Sequence, residues 1–165
     1  MRIIKLGLIS VIMIFLVIFL LSLLIPSTVI VSRAMTVNAV ADSVYSKIRD
    51  IREWKAWNVL LQDTSLSNPT FQYDSFRSDE MTVTFQLEDT AGIKTKWVRN
   101  GQEPVAGGFG ITRAGGATIV QWYFEFHVGW YPWEKFGSII FDKQLGPPME
   151  YSLDLLKKIC EKPKE

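Results

Sequence analysis

Few side chains in this sequence are suited to chemistry, and they are scattered. His127 is the single histidine and follows Phe124 and Phe126 at a strand end. An imidazole titrates near neutral pH and serves as general acid or base when a substrate lies within reach. Glu103, Gln121, Tyr123 and His127 form the polar set on which a reaction in a pocket would depend, and Glu103, Glu125 and Glu134 are the carboxylates that could divide acid and base roles. The alternative is ordinary: a half-exposed histidine near a turn, and carboxylates that are solvated or cap helices. One histidine excludes a His-rich metal site and argues against a Ser-His-Asp triad. One cysteine, Cys160, excludes an intramolecular disulfide and a Cys-based metal cluster. No metal and no cofactor are expected.

The elements that would position these groups divide at Pro26. Leu6 to Ile25 is twenty uncharged residues of Leu, Ile, Val, Phe and Met, with one Gly and two Ser. As a helix it spans roughly 30 Å, the thickness of a bilayer's hydrocarbon core. It is too long for a signal-peptide core and is followed by no A-x-A cleavage pattern. Residues 1–26 therefore read as an uncleaved transmembrane signal anchor and 27–165 as one folded domain. Arg2 and Lys5 precede the segment and only Arg33 follows closely. This bias predicts a single-pass protein with a cytoplasmic N-terminus and a periplasmic or otherwise extracytoplasmic domain. With Arg2 and Lys5 set aside the remainder is nearly neutral. It has no basic stripe for nucleic acid and no polybasic patch for anionic headgroups. All six Trp, all five Tyr and eight of ten Phe fall in this remainder. Such rings imply a dense core, a lined cavity, or both.

The spacing predicts a strand over 28–37, with Val29, Val31, Met35 and Val37 on one face and Arg33 interrupting. Val40, Val44 and Ile48 mark a helix face. Asp50 and Glu53 have capping-box spacing for a short second helix ending at Trp54–Trp57. Residues 58–70 read as a polar loop and 71–76 as a short strand. Met81, Val83, Phe85 and Leu87 alternate with polar residues, the turn Asp89–Gly92 follows, and Ile93, Thr95 and Trp97 make the next strand. In the strand from Val105 to Thr112, Gly107, Gly108 and Gly110 suggest sharp curvature or close backbone approach. Gly115–Gly116 turns into a strand with Val120, Trp122, Phe124 and Phe126 on one face. Trp133, Phe136 and Ile140 form a helical stripe. Gly146-Pro147-Pro148 breaks the helix there, and Met149, Leu153, Leu156 and Cys160 continue a second segment. The fold class is α+β: an N-terminal transmembrane helix, then a curved antiparallel sheet wrapped around a long C-terminal helix.

That order, with Trp54-x-x-Trp57, Gln102-Glu103-Pro104-Val105, Gln121-Trp122-Tyr123-Phe124, Trp130-Tyr131-Pro132-Trp133-Glu134-Lys135-Phe136 and Leu145-Gly146-Pro147, resembles the START-like (SRPBCC, helix-grip) superfamily. The nearer likeness is to polyketide cyclase/dehydrase-type and lipid-transport-type members with an N-terminal anchor. The resemblance covers nearly all of 27–165 and implies an apolar cavity between sheet and helix. Candidate lining residues are Trp57, Phe85, Trp97, Phe109, Trp122, Phe124, Phe136 and Ile140; a filled core is the alternative. Trp130-Tyr131-Pro132-Trp133 reads as a portal or membrane-surface belt, or simply as a helix start. No catalytic residue carries over, because the superfamily hosts carriers, cyclases, hydrolases and binding modules. Three functions follow: a membrane-tethered binder of an apolar small molecule (lipid, isoprenoid, quinone or polyketide-like), a cyclase- or hydrolase-like enzyme on such a ligand, or a non-catalytic interaction scaffold.

Overall fold

The computed structural model of the chain describes residues 2–89 and 92–161. α1 (Arg2–Ser22) is the apolar segment. Within it Ile4–Ser22 is long and apolar enough to cross a membrane, and its apolar side chains stand exposed. Seven strands follow: β1 (Thr28–Val37), β2 (Thr70–Phe71), β3 (Ser75–Arg77), β4 (Met81–Asp89), β5 (Gly92–Arg99), β6 (Val105–Ala114) and β7 (Ala117–His127). They form one antiparallel sheet in the order β1-β7-β6-β5-β4-β3-β2. α2 (Ala41–Ile48) and α3 (Ile51–Trp54) connect β1 to the far edge. α4 (Pro132–Ser138) and α5 (Phe141–Glu161) end the chain, and α5 lies along β1.

The buried residues are those the strand and helix periods select. Val31 and Val37 of β1, Val44 and Ile48 of α2, Val120, Trp122 and Phe124 of β7, and Met149, Leu153 and Leu156 of α5 share one core. Asp50 caps α3 by accepting from the Arg52 backbone N–H, as its position predicts. Glu53 does not complete the box, because its carboxylate turns to Lys47 at 2.9 Å. Gly108 is held to glycine by close approach: a Cβ there would lie 2.7 Å from the Ile93 carbonyl oxygen of β5, whereas Gly110 has room.

Four expectations are corrected. Residues 71–76 are not one strand but the hairpin β2–β3, closed by an edge-to-face Phe71–Phe76 pair at 4.8 Å. The segment 58–70 is not wholly loop, since Val59–Leu61 forms a 3-10 turn. The alternation of β4 is interrupted by a register shift between Phe85 and Leu87. The residues Thr90 and Ala91 of the predicted turn lie outside the described residues. Most consequentially, Gly146-Pro147-Pro148 does not break the last helix, for α5 runs through it. The Arg33 guanidinium, on the core side of β1, binds Asp142 at 2.8 Å and Glu150 at 2.6 Å, one on each side of the proline pair. Gly146 faces that guanidinium with no Cβ to displace it. A tertiary clamp thus spans the two turns whose backbone bonds the prolines remove.

Candidate functional site

The register gathers one end of the sheet. Thr28 pairs with His127, Ala106 with Glu125, Val105 with Trp97, and Met81 with Arg99. At this end lies a cleft of about 480 Å³, within the range of small-molecule sites. The sheet contributes Met81, Trp97, Val98, Arg99, Val105, Phe124 and Phe126. The 3-10 turn and its flank add Val59, Leu60 and Asp63, α5 adds Leu145 and Pro148, and the β5–β6 loop adds Gln102 and Glu103. The walls are apolar, and the polar groups come from the two loops and the end of β5. Ser65 holds the Asp63 carboxyl below the usual carboxylate range through its backbone N–H and then its hydroxyl, with Arg99 assisting. The same β1–β7 end receives α1: the Val128 backbone N–H donates to the Ser27 carbonyl at 2.8 Å. The Lys135 ammonium donates to the Ile25 carbonyl at 2.8 Å, just past the helix terminus, where a cation is favoured.

The predicted site residues separate into three groups. Trp97, Phe124 and Glu103 meet at the cleft, with Trp97 and Phe124 edge to face at 5.1 Å. Trp57, Phe109 and Trp122 lie behind them in a solid ring cluster, Phe109 stacked on Trp122 at 5.1 Å and Trp57 against Phe109 at 5.8 Å. Phe85 is half-buried against Trp54 at 5.8 Å. Phe136 and Ile140 are exposed, because α4 turns Pro132, Lys135 and Ser138 inward instead. The polar set does not converge. Gln121, Tyr123 and His127 alternate with the buried Trp122 and Phe124 and so occupy the opposite face of β7. There Gln121 donates to the Ser32 hydroxyl at 2.9 Å, and His127 lies 3.7 Å from Glu125. Glu103 alone of the four lines the cleft. Among the described residues, no group of three or more His, Cys, Asp or Glu side chains is placed to hold a metal ion.

Several lining residues were missed. Val59 and Leu60 are the apolar run in an otherwise polar loop, and that run was the available signal. Leu145 and Pro148 flank Gly146-Pro147, a pair that reads locally as a helix boundary and gives no sign that both face one cleft. Asn58, just before Val59, is fully buried. Its side-chain Oδ1 accepts from the Leu60 N–H, and its side-chain Nδ2 has no hydrogen-bond partner among the described residues.

No protein-family model matches the sequence, and no curated protein matches it. Solved structures do. A START superfamily protein from Mycobacterium smegmatis superposes with a TM-score of 0.59 at 17% identity, over 80% of this chain and 97% of that one. Truncated norcoclaurine synthase from Thalictrum flavum gives 0.59 at 14%, over 83% and 96%. CalU16 from Micromonospora echinospora gives 0.53 at 14%, and this chain, matched over 81% of its length, spans 65% of that one. These likenesses show the fold alone: the seven-stranded antiparallel sheet and long C-terminal helix of this chain make a START-like helix-grip fold.

Proposed function

We propose that this chain is a membrane-tethered binding module for an apolar small molecule of the lipid, isoprenoid or polyketide class. The observation that carries the reading is the shared location of cleft and anchor: the apolar walls open at the sheet end from which α1 departs. A ligand dissolved in a bilayer would reach the cleft over a short path. In this reading α1 spans the bilayer with its N-terminus cytoplasmic, following Arg2 and Lys5, and the domain is extracytoplasmic. The scatter of Gln121, Tyr123 and His127 away from Glu103 supports binding over catalysis, since catalysis needs polar groups converging on one substrate.

Native mass spectrometry of the full chain, released from nanodiscs prepared with a membrane lipid extract, tests this. An apolar adduct is expected on the wild type and is lost in Leu60→Trp/Val105→Trp, which fills the cleft from two sides. A bare mass after extract exposure, or an adduct unchanged in the filled variant, overturns the reading.

A further inference from the structure

We propose that the segment from Trp130 to Ile140 is a lipid-docking surface. It seats the domain in the headgroup–acyl boundary of the same bilayer that α1 crosses. The inference rests on the tether reading above but not on the cleft.

Three observations carry it. The first is an unpartnered apolar face. Pro132, Lys135 and Ser138 turn inward, Lys135 being 6% exposed, while Trp130 at 60%, Trp133 at 64% and Ile139 at 59% stand outward with Phe136 and Ile140. The second is composition. Trp130, Tyr131 and Trp133 form a stacked ladder at 4.4 and 4.7 Å. Trp and Tyr are the side chains enriched where a bilayer meets water. The third is continuity with α1. The Phe19 ring meets Trp130 edge to face at 6.4 Å, and Lys135 binds the Ile25 carbonyl at 2.8 Å.

This continuity decides the occupant. Phe19 lies three residues before the end of α1 at Ser22, about 4.5 Å deeper along the helix axis. An α1 inserted through Phe19 brings Trp130 to the boundary with it, so lipid is what the patch meets. A protein partner would have to displace that lipid. The chain has no polybasic patch, so attachment uses aromatic and aliphatic burial, and neutral lipid suffices.

The test uses the full chain in phosphatidylcholine vesicles whose acyl chains are brominated either near the headgroup or near the bilayer centre. Bromine quenches tryptophan on contact; the fully buried Trp54, Trp57 and Trp122 supply an unquenched background, and quenching of Trp97 through the cleft is common to wild type and variant. Headgroup-proximal bromine is expected to quench the wild type, and Trp130→Phe/Trp133→Phe to lose most of that quenching while keeping its far-ultraviolet circular dichroism and melting temperature. Retention of the chain through alkaline carbonate washing reports on α1 separately. A retained chain without shallow quenching, with quenching unchanged in the double variant, or with quenching only when anionic lipid is added, overturns the docking surface and leaves the tether standing. A chain extracted by carbonate overturns both.

Discussion

Two sets of tryptophans divide the molecule. Trp54, Trp57, Trp97 and Trp122 lie inside, each meeting other rings: Trp54 alone contacts Trp57 at 5.5 Å, Phe109 at 5.3 Å and Trp97 at 6.2 Å. Two of them hydrogen-bond to backbone carbonyls, Trp54 to Ile48 at 2.7 Å and Trp57 to Lys47 at 3.3 Å. Trp130 and Trp133 lie outside, in a ladder with Tyr131 that is more than half open at both tryptophans. Aromatic content alone therefore does not identify a ligand cavity. The same side chain makes a solid core at Trp122, a cleft wall at Trp97 and an unpartnered surface at Trp133. What distinguishes them is which element faces them, and the pairing of strands sets that.

The contrast is largest in stability. Trp57→Ala should cost about 3–5 kcal/mol, the range for truncating a buried aromatic. Trp133→Ala should cost no more than about 1 kcal/mol, since the exposed ring loses only its stack on Tyr131. Urea titration of the full chain in detergent reads both. Equal costs would break the division and show that the outer ladder packs against something that shields it.

That outer ladder marks the limit of what the sequence makes legible. Alternation in 81–85, 93–97 and 120–126 and the spacing of Val44 and Ile48 locate most of the sheet and α2, because a period of two or of three to four is a direct image of one-sided burial. It cannot tell a cavity wall from a core, since Trp97 and Trp122 have the same alternation, yet Trp97 lines the cleft while Trp122 is covered by Trp57 and Phe109. The stripe of Trp133, Phe136 and Ile140 has helical spacing, yet α4 ends at Ser138 and buries its other side. The period fixes which residues share a face, and an exposed apolar face reads like a buried one. The run through Pro147 and Pro148 was illegible for a different reason. Its support, Arg33, is more than a hundred residues away in sequence, and local rules for proline contain no such term.

A finer comparison lies within the inner set. The Trp122 indole N–H is buried with no hydrogen-bond partner among the described residues, whereas that of Trp54 donates to Ile48. Trp122→Phe removes a donor that has nothing to lose, so its cost is only that of reduced ring area. Trp54→Phe also strands the Ile48 carbonyl. It should be the more destabilising of the pair by about 1–3 kcal/mol, the penalty for a buried unsatisfied polar group. The same urea titration measures the difference. If Trp122→Phe costs as much, an unseen acceptor reaches that nitrogen.

The smallest effect concerns the seam where α5 leaves the exposed surface for the core. Arg33 holds the Asp142 carboxyl below its ordinary range, chiefly by hydrogen bonding, while Asp142 raises the guanidinium in turn. A carboxyl whose pKa is lowered on folding stabilises the fold above its unfolded pKa. That stabilisation is lost as the pH falls through the lowered folded value. Amide protection in the first half of α5 should therefore decline on acidification below the usual aspartate range. Arg33→Met should lower protection at neutral pH and remove that acid-dependent step. Both partners are partly exposed, with side-chain exposures of 24% and 60%, so screening keeps the change local, and hydrogen exchange resolves it better than a global melt. Gly146→Ala should move toward the Arg33→Met profile, because a Cβ there runs into the guanidinium, which must shift from its place between Asp142 and Glu150. Should Gly146→Ala retain the acid-dependent step, the clamp has shifted without opening, and the continuity of α5 through its prolines rests on the burial of Met149 and Leu153 instead.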